Sequence, residues 1–321
     1  MSILYKYFDQ SFLENLEQFE NYILNPTLKL SMPNKLNDPF ESFVARDIKR
    51  HLNIHNYTAI PKNISESIMD SEFERNIKLS GIVSLTETSR NKLMWAHYAS
   101  EHKGVVIGFD TSHIEKDLSD KQERCSKKRF VTPKPIKINY NSVRFDLINE
   151  DHKGDAGKEM LKLMLTTKSD DWIYEKEHRF IIPLELSDLL STSKASQYLQ
   201  NIANKKPPEN DYYSHYEFAI EKDSSFKNRY IVKKFPTKGE FLINETLEYL
   251  IKNGVSFFKK IPPESIHSIH LGVRTSSVLR GKIIKMLTSN KLNNKIKLYD
   301  YSLNENYFEL DANFINLSNC N

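Results

Sequence analysis

The chain is short of glycine and cysteine and has no long apolar run, and each shortage removes a class of function. Nine glycines in 321 residues leave no Gly-x-Gly-x-x-Gly after a strand and no Gly-x-x-x-x-Gly-Lys-Ser/Thr. The phosphate-cradling loops of dinucleotide folds and nucleotide hydrolases are therefore absent. Gly-x-Ser-x-Gly and His-Glu-x-x-His are missing as well, which takes away the familiar serine-hydrolase and metalloprotease signatures. Cys125 and Cys320 stand far apart in charged and terminal sequence; they build neither a zinc site nor a disulfide framework, and a reducing cytoplasm is the expected location. No apolar stretch approaches about 18 residues, and Met1-Ser2-Ile3-Leu4-Tyr5 lacks a charged segment followed by an apolar one. Neither a signal peptide nor a membrane partner is expected.

What is present is a balanced charge and a large aromatic content. Lys and Arg number 46 against 42 Asp and Glu, a net +4 that neither demands nor forbids a polyanionic partner. The 18 Phe and 16 Tyr are enough for an aromatic-rich core. The length suits one elaborated domain over residues 1–321, with exposed insertions expected at 111–135, which carries Lys127-Lys128-Arg129, and at 187–227, which is polar and contains Pro207-Pro208.

Periodicity predicts both helices and strands along the chain. Ile3–Phe8 reads as a first strand, and Ser11-Phe12-Leu13-Glu14 as a capping box opening one helix that runs to Pro26. A short strand at 28–31 leads to Asn37-Asp38-Pro39, where Asn37 and Asp38 are either turn formers or ligands. Residues 42–79 read as helical, 81–86 as a strand, 91–99 as a helix and 105–109 as a buried strand. His97 and His102 lack a third ligand nearby, which favours packing or a cap over metal binding. A strand at 137–140 and an amphipathic helix through Met160, Leu161, Met164 and Leu165 follow. Later strands are predicted at 229–232, 266–272, 296–299 and 307–310, with helices at 239–252 and 276–289. Helix and strand mix without regular alternation, which predicts an α+β fold with a mixed or antiparallel central sheet and flanking helices.

The chemistry concentrates in Trp172–Pro183, where a polar cluster enters an apolar run. In an extended chain Glu175, Glu177 and Arg179 share one face, and Lys176, His178 and Phe180 the other. Such a pattern suits the edge of a cleft, and it also suits a solvated strand end.

Five segments in order carry a family resemblance: Leu4–Tyr7, Leu36-Asn37-Asp38-Pro39-Phe40-Glu41, Met94-Trp95-Ala96-His97-Tyr98, His102–Phe109 and Trp172–Arg179. Together they resemble the domain of unknown function 2971 family over roughly residues 3–185, with Leu271-Gly272 as a weaker last match. The family name implies no activity. A second resemblance is to the ADP-ribosyltransferase superfamily: Tyr5-Lys6-Tyr7 takes the place of its first-strand motif, Ser84 or Thr86 that of its Ser/Thr strand, and Glu175-x-Glu177 that of its catalytic glutamate motif. Lys6 stands where that superfamily has His or Arg, and it lacks their planar donor geometry.

This second resemblance implies NAD as co-substrate, no metal, and an acceptor that is a protein or a nucleic acid, the chemistry of a toxin or phage-defence effector. Glu177 would be the catalytic carboxylate and Glu175 would orient or deprotonate the acceptor. Tyr5, Lys6, Tyr7, Asn37, Asp38, Ser84, Tyr98 and Arg179 would form the binding surface. Two other readings stand beside it. Asp38, Glu41, Glu175 and Glu177 with Lys176 could gather as the magnesium site of a nuclease. Trp95, His97 and Trp172 could instead shape the pocket of a non-catalytic recognition module of a defence system. The sequence shows nothing of the oligomeric state.

Overall fold

A computed structural model describes residues 3–42, 73–122, 130–143, 156–193, 196–204, 218–224, 226, 228–235, 240–292 and 295–317. The expected helices between 43 and 72 and the basic run 127–129 lie outside the described residues. Among the described residues the strands are β1 (Ile3–Phe8), β2 (Thr27–Leu30), β3 (Ser80–Thr86), β4 (Val105–Asp110), β5 (Ile136–Lys137), β6 (Asn139–Tyr140), β7 (Thr167–Lys168), β8 (Glu177–Pro183), β9 (Leu189–Ser191), β10 (Ala219–Lys222), β11 (Arg229–Lys234), β12 (Ser256–Lys260), β13 (Ile266–Leu271), β14 (Lys297–Leu303) and β15 (Leu310–Ile315).

The α+β expectation holds. An eight-stranded sheet in the order β15-β14-β13-β4-β1-β3-β8-β5 is antiparallel except at β13–β14. A five-stranded sheet, β10-β11-β9-β12-β2, is antiparallel throughout. The main core lies where Leu4, Val83, Val105, Phe109 and Phe180 of the large sheet meet Leu30, Leu190 and Phe257 of the small one. The central strands β3, β4 and β8 are buried along nearly their whole length, which is why Ile82-Val83, Val105-Val106-Ile107 and Phe180-Ile181-Ile182 stand as short apolar runs within them.

The pairing of β1 decides where the candidate cleft lies. On one side it is zipped to β4 over all six residues, Ile3↔Asp110 to Phe8↔Val105. On the other side it meets β3 only at Tyr5↔Thr86, while β3 pairs fully with β8 from Ser80↔Pro183 to Thr86↔Glu177. The sheet is thus split between β1 and β3. Side chains directly opposite one another share a face, so Tyr5, Thr86 and Glu177 form a row on one side of the sheet across that split.

Several elements depart from the sequence reading, each for a local reason. The first helix is two, Gln10–Glu14 and Leu16–Leu24, because Asn15 ends one and caps the next by accepting from the Gln18 amide. The first cap is Asp9, which accepts from Phe12 N, rather than Ser11, whose hydroxyl donates to Asp9. Residues 137–140 divide into β5 and β6. Tyr307 and Phe308 are exposed in a turn, and the last strand begins at Leu310.

The stretches expected as exposed insertions both contribute to the interior. Helix Ser112–Gln122 buries Ile114 and Leu118, and Thr132 N donates to Ile181 O at 3.0 Å. In the second stretch, Leu189 and Leu190 of β9 are fully buried in the five-stranded sheet.

The helix Lys92–Tyr98 is held by its cap, Asn91, whose side chain accepts from Leu93 N and Met94 N. It leaves through Ser100, Glu101 and His102, three successive non-glycine residues at φ of 46°, 53° and 71°. Such left-handed backbone costs about 1–2 kcal/mol per residue, and it is braced from both sides. The His102 ring lies parallel to the buried Trp95 ring, and the Trp95 indole donates to Ser89 O at 2.7 Å. His102 is thus a packing residue. Gly272 runs against this loop: a methyl there would sit 2.1 Å from the carbonyl oxygen of His102. Because the obstacle is backbone, Gly272→Ala is expected to cost at least the ~1–3 kcal/mol typical of overpacking, read as a lower denaturant midpoint. An unchanged midpoint would show that the loop yields.

Candidate functional site

A cleft of about 270 Å³ fills the split between β1 and β3. Tyr5, Lys6 and Tyr7 line one wall; Ser84, Thr86, Glu175, Glu177 and Arg179 line the other, with Asn37, Glu41, Tyr98 and Lys168 closing it. The N-terminal strand and the paired glutamates therefore share one pocket although about 170 positions separate them. Lys6 belongs by alternation to the opposite face of β1 from Tyr5 and Tyr7. It reaches the cleft through the split, where its ammonium donates to Ser84 O at 3.1 Å.

The floor is a buried ion cluster. Arg179 is 1% exposed and holds Glu177 with two bonds, Nε to Oε1 at 2.7 Å and NH2 to Oε2 at 2.9 Å. Its third edge donates to Leu165 O at 2.9 Å, and its NH2 also pairs with Glu41. Lys168, 6% exposed, stands among three carboxylates: Glu175 at 2.7 Å, Glu41 at 3.3 Å and Glu177 at 3.5 Å. Its Nζ also lies 4.6 Å from the Trp172 ring centre, a cation–π contact. Tyr98 donates to Glu175 at 2.5 Å and receives Asn37 Nδ2 at 3.0 Å.

Local chain geometry aims these groups. Residues Asp170–Glu175 form a 3-10 turn capped by Ser169, and Lys176 follows in a left-handed conformation at φ 45°. The extended alternation expected from 175 onward therefore starts only at Glu177. Glu175 reaches the same site from the end of the turn, with its carbonyl taken by the Thr86 hydroxyl at 2.6 Å. Lys168 is placed by the parallel pair β6–β7, Tyr140↔Lys168. The Tyr140 hydroxyl in turn accepts the Glu177 amide at 2.8 Å.

Burial alone would push Glu177 up, but the Arg179 guanidinium overrides it, with Lys168 and the Ser84 hydroxyl adding, and its pKa falls to about 2. Burial prevails at Glu41, which is raised despite Arg179 and Lys168. Burial lowers Lys6, which Glu177 only partly offsets. Burial opposes the charge of Lys168, yet Glu177, Glu41 and Glu175 together hold its pKa above the ordinary lysine value. Burial and then Glu175 raise Tyr98. Tyr140 is pushed up to about 12, first by burial.

The depressed Glu177 value has a consequence for acid stability. A carboxylate whose folded pKa lies below its unfolded one stabilises the fold above the unfolded value, and that contribution is lost as pH falls through the folded one. Between about 4.5 and about 2, Glu177 should account for a loss on the order of 3 kcal/mol. Denaturant midpoints at pH 5 and pH 3 should converge more closely in Glu177→Gln than in the wild type. Parallel losses would contradict the ion-pair account.

Of the ten residues that the transferase resemblance singles out, nine line the cleft: Tyr5, Lys6, Tyr7, Asn37, Ser84, Tyr98, Glu175, Glu177 and Arg179. Asp38 does not. Its carboxylate accepts Phe40 N at 2.9 Å, so it is the turn former. Lys176 does not line the cleft either, and Lys168 supplies the lysine beside the carboxylates. Trp95, His97 and Trp172 are likewise absent from the lining, with Trp95 fully buried in an aromatic cluster. Sequence reasoning passed over Lys168 altogether. The local hint was Trp172, four residues on, whose ring receives its charge.

Residues 94–180 match the model of the family described as Protein of unknown function (DUF2971). That span takes in three of the five motifs, including Trp95–Tyr98 and the Glu175–Arg179 segment, so the family resemblance expected over residues 3–185 is shown over 94–180, which holds Glu175, Glu177 and Arg179 of the cleft but not Ser84 or Thr86. No curated protein and no solved structure matches the chain. Among the described residues no helix is long and apolar enough to cross a membrane.

Proposed function

We propose that the cleft binds the nicotinamide-ribose half of NAD and transfers the ADP-ribosyl group to a macromolecular acceptor. The observation that carries this reading is the layout of charge. Three carboxylates and two cations meet at the floor, one negative charge in excess if all are ionised, while Lys6 and the exposed Lys35 stand at the walls and rim. NAD has the complementary polarity: a cationic pyridinium-ribose at one end and a pyrophosphate next to it. The volume, about 270 Å³, lies near the lower end of the range for small-molecule pockets and suits that half of the molecule.

In this reading the bond from ribose C1′ to the nicotinamide nitrogen breaks, and its electron pair leaves with neutral nicotinamide. The positive charge left on the sugar faces Glu177, which is ionised at any physiological pH and fixed by Arg179, the preorganised electrostatics that such a transition state needs. A nucleophile of the acceptor then bonds to C1′, and its proton passes to Glu175, which Lys168 and Tyr98 hold in place. Tyr5 and Tyr7 border the pocket with their ring edges packed on His270 and Trp95, which leaves rigid aromatic surface for the nicotinamide.

The nuclease reading fares less well because Lys168 and Arg179 already pair with the carboxylates that would hold magnesium. The test is incubation of the purified protein with labelled NAD and cell lysate beside Glu177→Gln. Nicotinamide release or label transfer by the wild type alone supports the proposal, and absence of both from both samples removes it.

A further inference from the structure

A second pocket, of about 390 Å³, lies on the other face of β1. Lys6 and Phe8 line it, and these alternate along the strand with Tyr5 and Tyr7 of the first cleft. Its aromatic wall is tightly ordered: Phe8 stacks on Phe12 at 4.7 Å, and Tyr22 meets both edge-on at 5.5 Å and 5.1 Å. Opposite stand Lys29 on β2 and Arg229 on β11, the latter lying 3.4 Å over the Phe226 ring with one edge on Asp223.

Two features ask for a ligand. Among the described residues no carboxylate lines the pocket, although Lys6, Lys29 and Arg229 all do, and the Lys29 charge adds to burial in lowering the pKa of Lys6. The hydroxyl of Tyr22 is buried and has no hydrogen-bond partner among the described residues. A flat anion with polar edges answers both: rings take its face, cations its charge, and the hydroxyl an edge atom. Gln18, Asn25, Thr27 and Ser191 also line the pocket and offer polar partners to the edge of a base.

We propose that this pocket is a mononucleotide site, the base lying against Phe8, Phe12 and Tyr22 and the phosphate held by Lys29 and Arg229. It is independent of the glycosyl-transfer reading and needs no chemistry in the first cleft. The experiment is calorimetric titration of the whole chain with AMP, GMP and UMP, and with adenosine and inorganic phosphate as separate arms. At least one mononucleotide should bind with a dissociation constant below about 1 mM, and the nucleoside and phosphate arms should each be weaker by about tenfold or more. Lys29 is exposed, so Lys29→Glu should fold normally; it should weaken binding by about tenfold or more. Tyr22→Phe keeps the ring and should weaken binding several-fold. Glu177→Gln should bind as the wild type does. The proposal is overturned if no mononucleotide binds, if inorganic phosphate alone binds as well, or if Lys29→Glu binds normally. Binding lost in Glu177→Gln but kept in Lys29→Glu would place the ligand in the first cleft and overturn it too.

Discussion

Replacing Arg179 by Met should destabilise the protein by about 3–5 kcal/mol at pH 7, the range for removing one partner of a buried ion pair. The guanidinium is the one group that touches both Glu177 and Glu41 and also satisfies Leu165 O. Without it, the buried Glu177 and Glu41 keep Lys168 as their paired cation, at 3.5 Å and 3.3 Å. Their charge becomes the cost, so the sign of the pH dependence should reverse: the pKa of Glu177 rises from about 2, and the variant should lose less relative to the wild type at pH 5 than at pH 7. Combining Arg179→Met with Glu177→Met should recover much of the loss, because an apolar pair removes the stranded charge. Denaturant midpoints of the two variants at both pH values decide this. A single-variant loss below about 1 kcal/mol at pH 7, the size of an exposed pair, would mean that the cluster is wet and weak.

The second large effect is on chemistry. Glu177→Gln keeps the shape of the side chain and removes its charge, so it separates electrostatic stabilisation from packing. Loss of one preorganised group of this kind costs about 10²–10³ in turnover, and nicotinamide release should fall by that factor. Because the carboxylate acts chiefly on charge that develops as the bond breaks, the loss should appear in kcat with KM for NAD nearly unchanged. A proportional rise in KM at constant kcat would assign Glu177 to binding alone.

How much of this was legible in the sequence depends on how local each signal is. The strands β3, β4 and β8 announce themselves because nearly all of their residues are buried, which leaves a short apolar run in each. The Glu175–Arg179 cluster was legible as a concentration of ionisable groups at the mouth of such a run. The split between β1 and β3 was not, since it is a property of pairing between residues some 80 positions apart, Tyr5 and Thr86, and nothing in either strand records it. Lys168 was hidden for the same reason: its place depends on the parallel pairing with Tyr140, and a lone lysine after an amphipathic helix looks like solvated surface. Glu41 was weighed only as a magnesium ligand, while Asp38, three residues before it, carried the binding role. The 3-10 turn at Pro39–Ser42 exchanges them, with Asp38 closing the turn and Glu41 reaching Lys168.

The central claim is that the split sheet holds a nicotinamide ribose over Glu177. The most direct measurement is a crystal structure of the protein soaked with a non-hydrolysable NAD analogue. The account predicts nicotinamide-ribose density between Tyr5, Tyr98 and Glu177, with a ribose hydroxyl in hydrogen-bond reach of the Glu177 carboxylate and the pyrophosphate toward Lys6 and Lys35. An empty cleft at saturating analogue, or density with the adenine end at Glu177, would contradict it.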